Sequence, residues 1–151
     1  MVFYPNIKII SGGQTGADRA ALDFALRNGI PCGGWCPKGR RAEDGLISLK
    51  YPLQETSSIA YPERTQKNIE SSDGTVIFYN KKFDAGTGLT LNLCKKLGKP
   101  FLIVKLSNSS IKEEFRDWLN NYSIQVLNVA GPRESSEKGI YSKVTSFLEN
   151  C

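Results

Sequence analysis

Residues 11–19 read Ser-Gly-Gly-Gln-Thr-Gly-Ala-Asp-Arg and join a short β-branched run, 7–10, to apolar residues at helical spacing over 17–28. This pattern predicts a strand, a glycine loop and a helix. Three glycines in five positions let a ligand approach the backbone, and the first turn of a helix offers unpaired N–H groups to an anion. The segment therefore predicts either a phosphate cradle or a tight turn whose glycines serve packing.

The polar residues of this loop favour a binding site over a plain turn, which would not need them. The glycine spacing matches neither the dinucleotide fingerprint nor the Walker loop. We expect the loop residues to hold the anion and the first helical residues to order the loop. These residues are Gly12, Gly13, Gln14, Thr15 and Gly16 in the loop, and Asp18 and Arg19 in the helix.

A second glycine loop follows a later strand. Residues 75–79 are β-branched and aromatic, as in a strand buried on both faces, and residues 80–88 lead into a predicted helix over 89–97. The carboxyl ends of strands in an open parallel sheet converge on one crevice. We therefore expect Gly86, Thr87 and Gly88 to close the other side of the same site.

The rest of the chain alternates strands with helices. Strands are predicted over 30–36, with an irregularity at Gly33 and Gly34, and over 101–104 and 124–129. Helices are predicted over 61–70 and 111–122. A last helix carries the apolar stripe that begins at Ile140, with a serine N-cap at 135–136 and with Arg133 at the crevice edge. The alternation predicts one Rossmann-like domain over residues 1–151, a three-layer α/β sandwich whose mainly parallel sheet has about five or more strands.

Regular patterning stops over residues 37–60, where charges of both signs are dense. A long loop inside a small domain is usually functional or mobile. Lys38 here and Arg64 on the next helix are candidate charge partners for the anion, although a solvated charged loop accounts for Lys38 nearly as well. The same segment supplies two candidate carboxylates, Glu43 and Asp44.

Composition narrows the chemistry. The 151 residues include no histidine, which excludes Ser-His-Asp and Cys-His catalysis and histidine-ligated zinc. The net charge of +5 is spread along the chain, so a small anion is favoured and nucleic acid is an improbable partner. Cys32 and Cys36 are spaced C-x-x-x-C, but a metal site would need two more ligands that the sequence does not indicate, so no tightly bound metal is predicted. Without a signal sequence or an apolar span, we expect a cytoplasmic protein that does not bind a membrane. The sequence does not determine whether the protein forms a homo-oligomer.

Several segments together resemble the putative molybdenum carrier family. The resemblance runs nearly end to end and rests on residues 11–23, 35–45, 61–68, 72–75, 86–90 and 128–134. By its name, this family implies binding of molybdate or molybdenum cofactor. A family name alone does not establish a ligand, so a nucleotide derivative is retained as an alternative cofactor.

The first motif is also similar to the Ser-Gly-x-x-x-Gly-x-Asp loop of the DNA-processing protein DprA. Arg64 with Gly86 and Thr87 resembles the signature of the LOG phosphoribohydrolases, but the position of their glutamate is occupied here by Thr90. The resemblance thus implies phosphate binding without the hydrolase's acid or base. The alternatives are a nucleotide hydrolase or N-glycosidase that uses Asp18, Glu43 or Asp44, and a DprA-like DNA-binding protein.

Overall fold

A five-stranded parallel sheet forms the centre of the computed structural model, which describes residues 6–151. The strands are β1 (Lys8–Ile10), β2 (Cys32–Gly33), β3 (Trp35–Cys36), β4 (Arg41–Ala42), β5 (Gly45–Leu46), β6 (Gln54–Glu55), β7 (Gly74–Tyr79), β8 (Phe101–Lys105) and β9 (Val126–Ala130). The helices are α1 (Ala17–Arg27), α2 (Tyr61–Glu70), α3 (Ala85–Leu97), α4 (Ile111–Asn121) and α5 (Ile140–Glu149). The sheet order is β2-β1-β9-β7-β8, which confirms the predicted α/β class and mainly parallel sheet.

Helices cover both faces of this sheet. Side chains alternate along β7, so Val76 and Phe78 join the large core formed with α1, α4 and α5. Ile77 points to the opposite face, where α2 and α3 pack against each other and Ile69 is fully buried. Burial on both faces explains the continuous apolar run in β7.

The middle of the sheet determines where loops meet. Asn128 of β9 lies between Ile10 of β1 and Thr75 of β7 in the parallel registers. Because parallel strands end at the same edge, the connections that follow β1, β7 and β9 lie side by side. This edge carries the candidate site.

The predicted strand over 30–36 is divided at its glycine irregularity into two short strands, which belong to different sheets. Gly34, at φ 128°, separates β2 in the main sheet from β3, which pairs with β6 in a small parallel ribbon. A Cβ at Gly34 would overlap the carbonyl oxygen of Ser11, so only glycine allows the chain to change sheets here.

Residues 37–60 are more ordered than their sequence suggests. They contain the antiparallel pair β4–β5, and Ile47, Tyr51 and Leu53 form a second core with Leu22 of α1. The guanidinium of Arg40 donates to four carbonyl groups within this segment, at 2.8–3.2 Å. Those carbonyl groups belong to Ile47, Ser48, Tyr51 and Leu53. One half-buried cation thus orders a loop that has little secondary structure.

Two helix starts differ from the predictions. Helix α3 begins at Ala85, not at residue 89, because the Asp84 carboxylate accepts from the Thr87 N–H at 2.8 Å. Helix α5 is not capped by serine. The Glu134 carboxylate instead accepts from the N–H groups of Gly139 and Tyr141. Among residues 6–151, the helices are all too short or too polar to cross a bilayer.

Candidate functional site

A cleft lies at the carboxyl ends of β1, β7 and β9. Its walls come from the glycine loop, from α2, from the start of α3 and from the loop between β9 and α5. Six of the residues predicted for the site line it: Gly12, Gln14, Asp18, Arg64, Gly86 and Arg133. The structure therefore brings together parts of both predicted glycine segments.

Arg64 and Asp18 form a charged pair in the wall of the cleft. Arg64 Nη1 lies 3.4 Å from Asp18 Oδ2, and the two side chains are only 12% and 11% exposed. Charge-assisted hydrogen bonds are usually shorter, near 2.7–2.9 Å. Arg64 Nε is buried and has no hydrogen-bond partner within residues 6–151. The guanidinium therefore retains capacity for another acceptor.

Asp18 has an unusual environment for a carboxylate. Burial raises its pKa to about 6, although the positive charge of Arg64 and the Gln14 N–H oppose this shift. The Gln14 N–H donates to Asp18 Oδ2 at 3.3 Å. The Asp18 carboxyl group can therefore take up or release a proton at a pH near 6.

A second arginine reaches the cleft from the β9–α5 loop. The Cζ of Arg133 lies 5.8 Å from the centroid of the Tyr61 ring, and that of Arg64 lies 5.2 Å from it. The Arg133 side chain makes no hydrogen bond or ion pair within the described chain. Two guanidinium groups with free donors thus converge on one aromatic ring at the sheet edge.

The glycines of the first loop have different neighbours. A Cβ at Gly12 would overlap the guanidinium of Arg64, so Gly12 makes room for that side chain. Gly13, at φ 78°, faces Leu53 Cδ1, which a Cβ would meet at 2.6 Å. Gly16 lies against the backbone of Pro132 and Glu134. Each glycine permits a close contact within the protein, and direct ligand contact at Gly13 and Gly16 stays a prediction.

Backbone N–H groups of this loop already have acceptors. The Gly13 N–H donates to Ser11 Oγ, the Thr15 N–H to Gln14 Oε1, and the Ala17 N–H to the carbonyl oxygen of Pro132. An anion bound here would have to displace these acceptors, unlike one bound at the arginines.

Polar residues beside the loop form what we call the clasp: Gln14, Thr15, Arg19, Glu43, Asp44 and Ser135. Thr15 Oγ1 and Ser135 Oγ both donate to the Glu43 carboxylate, and the Glu43 N–H donates to Gln14 Oε1 at 2.9 Å. Arg19 makes a bidentate pair with Asp44 at 3.0 and 3.1 Å. The clasp joins the glycine loop to the β4–β5 turn and to the β9–α5 loop.

Hydrogen bonds within the clasp keep its two carboxylates, Glu43 and Asp44, ionised. Burial acts to raise the pKa of Glu43, but the hydrogen bonds from Ser135 and Thr15 hold it below its ordinary value. The hydrogen bonds from Arg19 likewise lower the pKa of Asp44. Both groups are ionised and engaged, and neither lines the cleft.

Other predicted residues lie outside the cleft. Lys38 is exposed, and Thr87 is buried with its hydroxyl donating to Asp84 at 2.6 Å. Thr87 and Gly88 belong to the first turn of α3, not to a loop. None of these three lines the cleft, and ligand contact by them stays a prediction.

Ten of the residues that line the cleft were not predicted as site residues, among them four polar ones on α2 and β9. Tyr61, Thr65 and Asn68 lie on the same side of α2 as Arg64, and Asn128 comes from β9. The signal was present in the sequence, because positions 61, 64, 65 and 68 follow helical spacing. Asn128 is 3% exposed and donates to Thr75 Oγ1 at 3.2 Å. Thr90, at the position of the LOG glutamate, also lines the cleft.

The cysteines lie apart from the cleft. Cys36 and Cys94 are buried, and Cys32 and Cys151 are half-buried. Burial raises the pKa of the Cys36 and Cys94 thiols. Residues 6–151 contain no group of three or more histidine, cysteine, aspartate or glutamate side chains placed to hold a metal ion.

Fold and site together define a Rossmann-like α/β protein with an arginine-lined cleft at the carboxyl edge of its sheet. The chain belongs to cpYpsA, the circularly permutated YpsA SLOG family, whose model matches residues 9–151. The crystal structure of "Putative molybdenum carrier protein" from Syntrophus aciditrophicus SB is similar, with 46% sequence identity and a TM-score of 0.91. The match covers 96% of this chain and 94% of that one, which confirms the family resemblance read from the motifs.

A second solved structure, (E)-4-hydroxy-3-methyl-but-2-enyl diphosphate reductase, is only distantly similar. Its identity is 13% and its TM-score 0.43, over 99% of this chain and 60% of that chain. Among curated proteins, none matches the sequence significantly.

Proposed function

We propose that this protein binds an oxyanionic or phosphate-bearing small molecule in the cleft, with Arg64 and Arg133 as its charge partners. The main support is the pair of guanidinium groups around Tyr61, of which Arg64 Nε lacks a partner in the described structure. An unpaired buried donor is costly, and a bound oxyanion would satisfy it. The position also agrees with the general rule that open α/β sheets bind ligands at their carboxyl edge.

Molybdenum compounds are the first ligands to test, because the relative with 46% identity is named as a molybdenum carrier. Molybdate is itself an oxyanion, and molybdenum cofactor carries a phosphate group, so both fit the proposed charge partners. A nucleotide derivative has the same phosphate chemistry and is the alternative ligand. Gly12 and Gly86 would form the floor of the site, since both line the cleft.

A thermal-shift panel of molybdate, inorganic phosphate, AMP and single-stranded DNA tests this proposal. A ligand present at about a hundred times its dissociation constant should stabilise the fold by about 2.7 kcal/mol. We expect a shift with at least one of the small anions and no shift with DNA. No stabilisation by any small anion would contradict the proposal.

The location of the anion site is tested by the variant Arg133→Gln, with Arg41→Gln as its matched control. Arg133 is half-buried and makes no hydrogen bond within residues 6–151, so its loss should leave the fold intact. Arg41 is exposed and lies outside the cleft. The anion-induced shift should fall in Arg133→Gln and persist in Arg41→Gln. Equal shifts in both variants would place the anion elsewhere.

A nucleotide hydrolase is the second candidate function. Of its three candidate carboxylates, Asp18, Glu43 and Asp44, Asp18 alone lines the cleft. We nevertheless predict no release of free base from AMP. Thr90 cannot act as acid or base, and loss of such a group typically costs about 10² to 10⁴ in rate. Chromatography of AMP incubated with the purified protein checks this. Turnover that disappears in Asp18→Asn would establish the hydrolase instead.

A further inference from the structure

We infer that an oxyanion bound at Arg64 shares one proton with Asp18, so that the site distinguishes oxyanions by whether they carry a proton. This inference rests on the proposed function and concerns the selectivity of the same cleft. The proton can come from the Asp18 carboxyl group or from the ligand, and it forms the hydrogen bond between them.

The position of Asp18 beside Arg64 favours such a shared proton. Asp18 Oδ2 already lies 3.4 Å from the guanidinium that would hold the anion, and both side chains line the cleft. An ionised Asp18 would place its negative charge next to the ligand, and at 11% exposure its side chain has little water around it to reduce the repulsion. A proton between the two oxygen atoms converts this repulsion into a hydrogen bond.

Among the charged groups around the cleft, Asp18 is the one that can take up the proton. Arg64 of α2 contacts it directly, and Arg133 of the β9–α5 loop lines the same cleft. Arg19, next to Asp18 on α1, is engaged by Asp44 of the β4–β5 turn. Asp84, before α3, caps that helix through hydrogen bonds from Thr87.

Burial supports the same assignment, because it already raises the pKa of Asp18 to about 6 in the free protein. A bound anion would raise it further, since the anion adds negative charge and draws on Arg64. Binding of a fully ionised anion should therefore take up a proton from solvent near neutral pH.

This chemistry separates two groups of ligands. Inorganic phosphate keeps at least one proton throughout the range from about pH 6 to pH 8, and its O–H can donate to ionised Asp18. Sulfate and molybdate keep none there, so they require protonated Asp18. Their affinity should fall by up to tenfold for each pH unit above the Asp18 pKa, the limit for uptake of one proton.

Isothermal titration with sulfate and with inorganic phosphate, at about pH 6 and about pH 8 and constant ionic strength, tests the inference. For the unaltered protein we expect sulfate affinity to fall by a factor of tens between these values, while phosphate affinity changes severalfold at most. Titrations in buffers of different ionisation enthalpy should show net proton uptake with sulfate.

Asp18→Asn provides the critical comparison, and Asp117→Asn, at an exposed position on α4, is its matched control. An asparagine amide can donate to any oxyanion, so Asp18→Asn should bind sulfate equally well at both pH values. The control should keep the pH dependence. Sulfate affinity that is the same at both pH values in the unaltered protein would overturn the inference while leaving the anion site intact. Failure of both anions to bind at either pH would also overturn the inference, and it would contradict the proposed function only if molybdate and AMP failed to stabilise the fold as well.

Discussion

The clasp and the arginine pair lie at the same end of the sheet but differ in how fully their hydrogen bonds are satisfied. In the clasp, the Glu43 carboxylate accepts from Thr15 and Ser135, and Asp44 is held by both terminal nitrogens of Arg19. On the other side, Arg64 has one long contact to Asp18, and Arg133 has no hydrogen bond in the described chain.

The difference indicates which charged residues stabilise the fold and which are available to a ligand. Satisfied groups gain little from a new partner, whereas unsatisfied buried donors gain most. Residues 11–19, which the sequence presents as one anion-binding loop, therefore have two roles: some brace the loop, and others form the wall of the cleft. Gln14 and Thr15 brace the loop, and Gly12 makes room for Arg64.

Substitution of two glycines in residues 11–19 should have the largest effects and should distinguish bracing of the loop from anion binding. Gly16→Ala should destabilise the fold by about 4 kcal/mol, because its backbone conformation is strained for alanine and the new Cβ overlaps backbone atoms. These atoms belong to Pro132 and Glu134 and cannot move aside easily. Urea unfolding of this variant measures the loss.

Gly12→Ala is the matched comparison for that experiment. Its Cβ would meet only the guanidinium end of Arg64, a flexible side chain. We expect a smaller loss of stability together with loss of anion binding. If Gly12→Ala destabilised the fold as much as Gly16→Ala, the division between bracing and binding would be wrong.

The pH dependence of stability should show the second-largest effect. The pKa of Asp18 is about 6 in the folded state, against about 3.9 when unfolded, so the folded state binds more protons between these values. The contribution of Asp18 therefore decreases as pH rises, by about 2 kcal/mol between about pH 4 and pH 7.

Comparison with Asp18→Asn isolates this contribution from those of other carboxylates. The free energy of unfolding of the unaltered protein, minus that of the variant, should decrease over this pH window. A difference that stays constant, or increases with pH, would show that Asp18 has an ordinary or lowered pKa.

Glu43→Gln should have the smallest effect. Glu43 is exposed, so loss of its charge should reduce stability by only about 1 kcal/mol, although it weakens hydrogen bonds from Thr15 and Ser135. Phosphate affinity should change little, because Glu43 lies outside the cleft. Loss of phosphate binding in a variant of near-normal stability would make the clasp part of the site.

Much of the fold could be predicted from the sequence because hydrophobic periodicity and helix-ending residues are local signals. The α1 and β7 patterns and the left-handed Gly98 after α3 are examples. The change of sheet at Gly34 and the order of residues 37–60 depend on distant partners, namely Ser11 and the carbonyl groups bound by Arg40. Such contacts leave no periodic trace.

The site was predicted in part for the same reason. Glycine segments at strand ends indicated the edge of the sheet that carries the cleft, and Gly12, Asp18 and Arg64 meet there. Sequence could not show that Glu43 reaches Thr15 across the chain and is satisfied by it. Satisfaction of hydrogen bonds is a property of the folded arrangement, and it decides which polar residues remain free for a ligand.

We expect the anion to bind on the arginine side of the cleft and not at the N–H groups of the glycine loop. Anomalous diffraction from a crystal soaked in molybdate at about pH 6, where Asp18 can supply the shared proton, tests it most directly. We predict a molybdenum peak in contact with Arg64 and Arg133. A peak held by the N–H groups of residues 13–16, with both arginines unoccupied, would contradict the account.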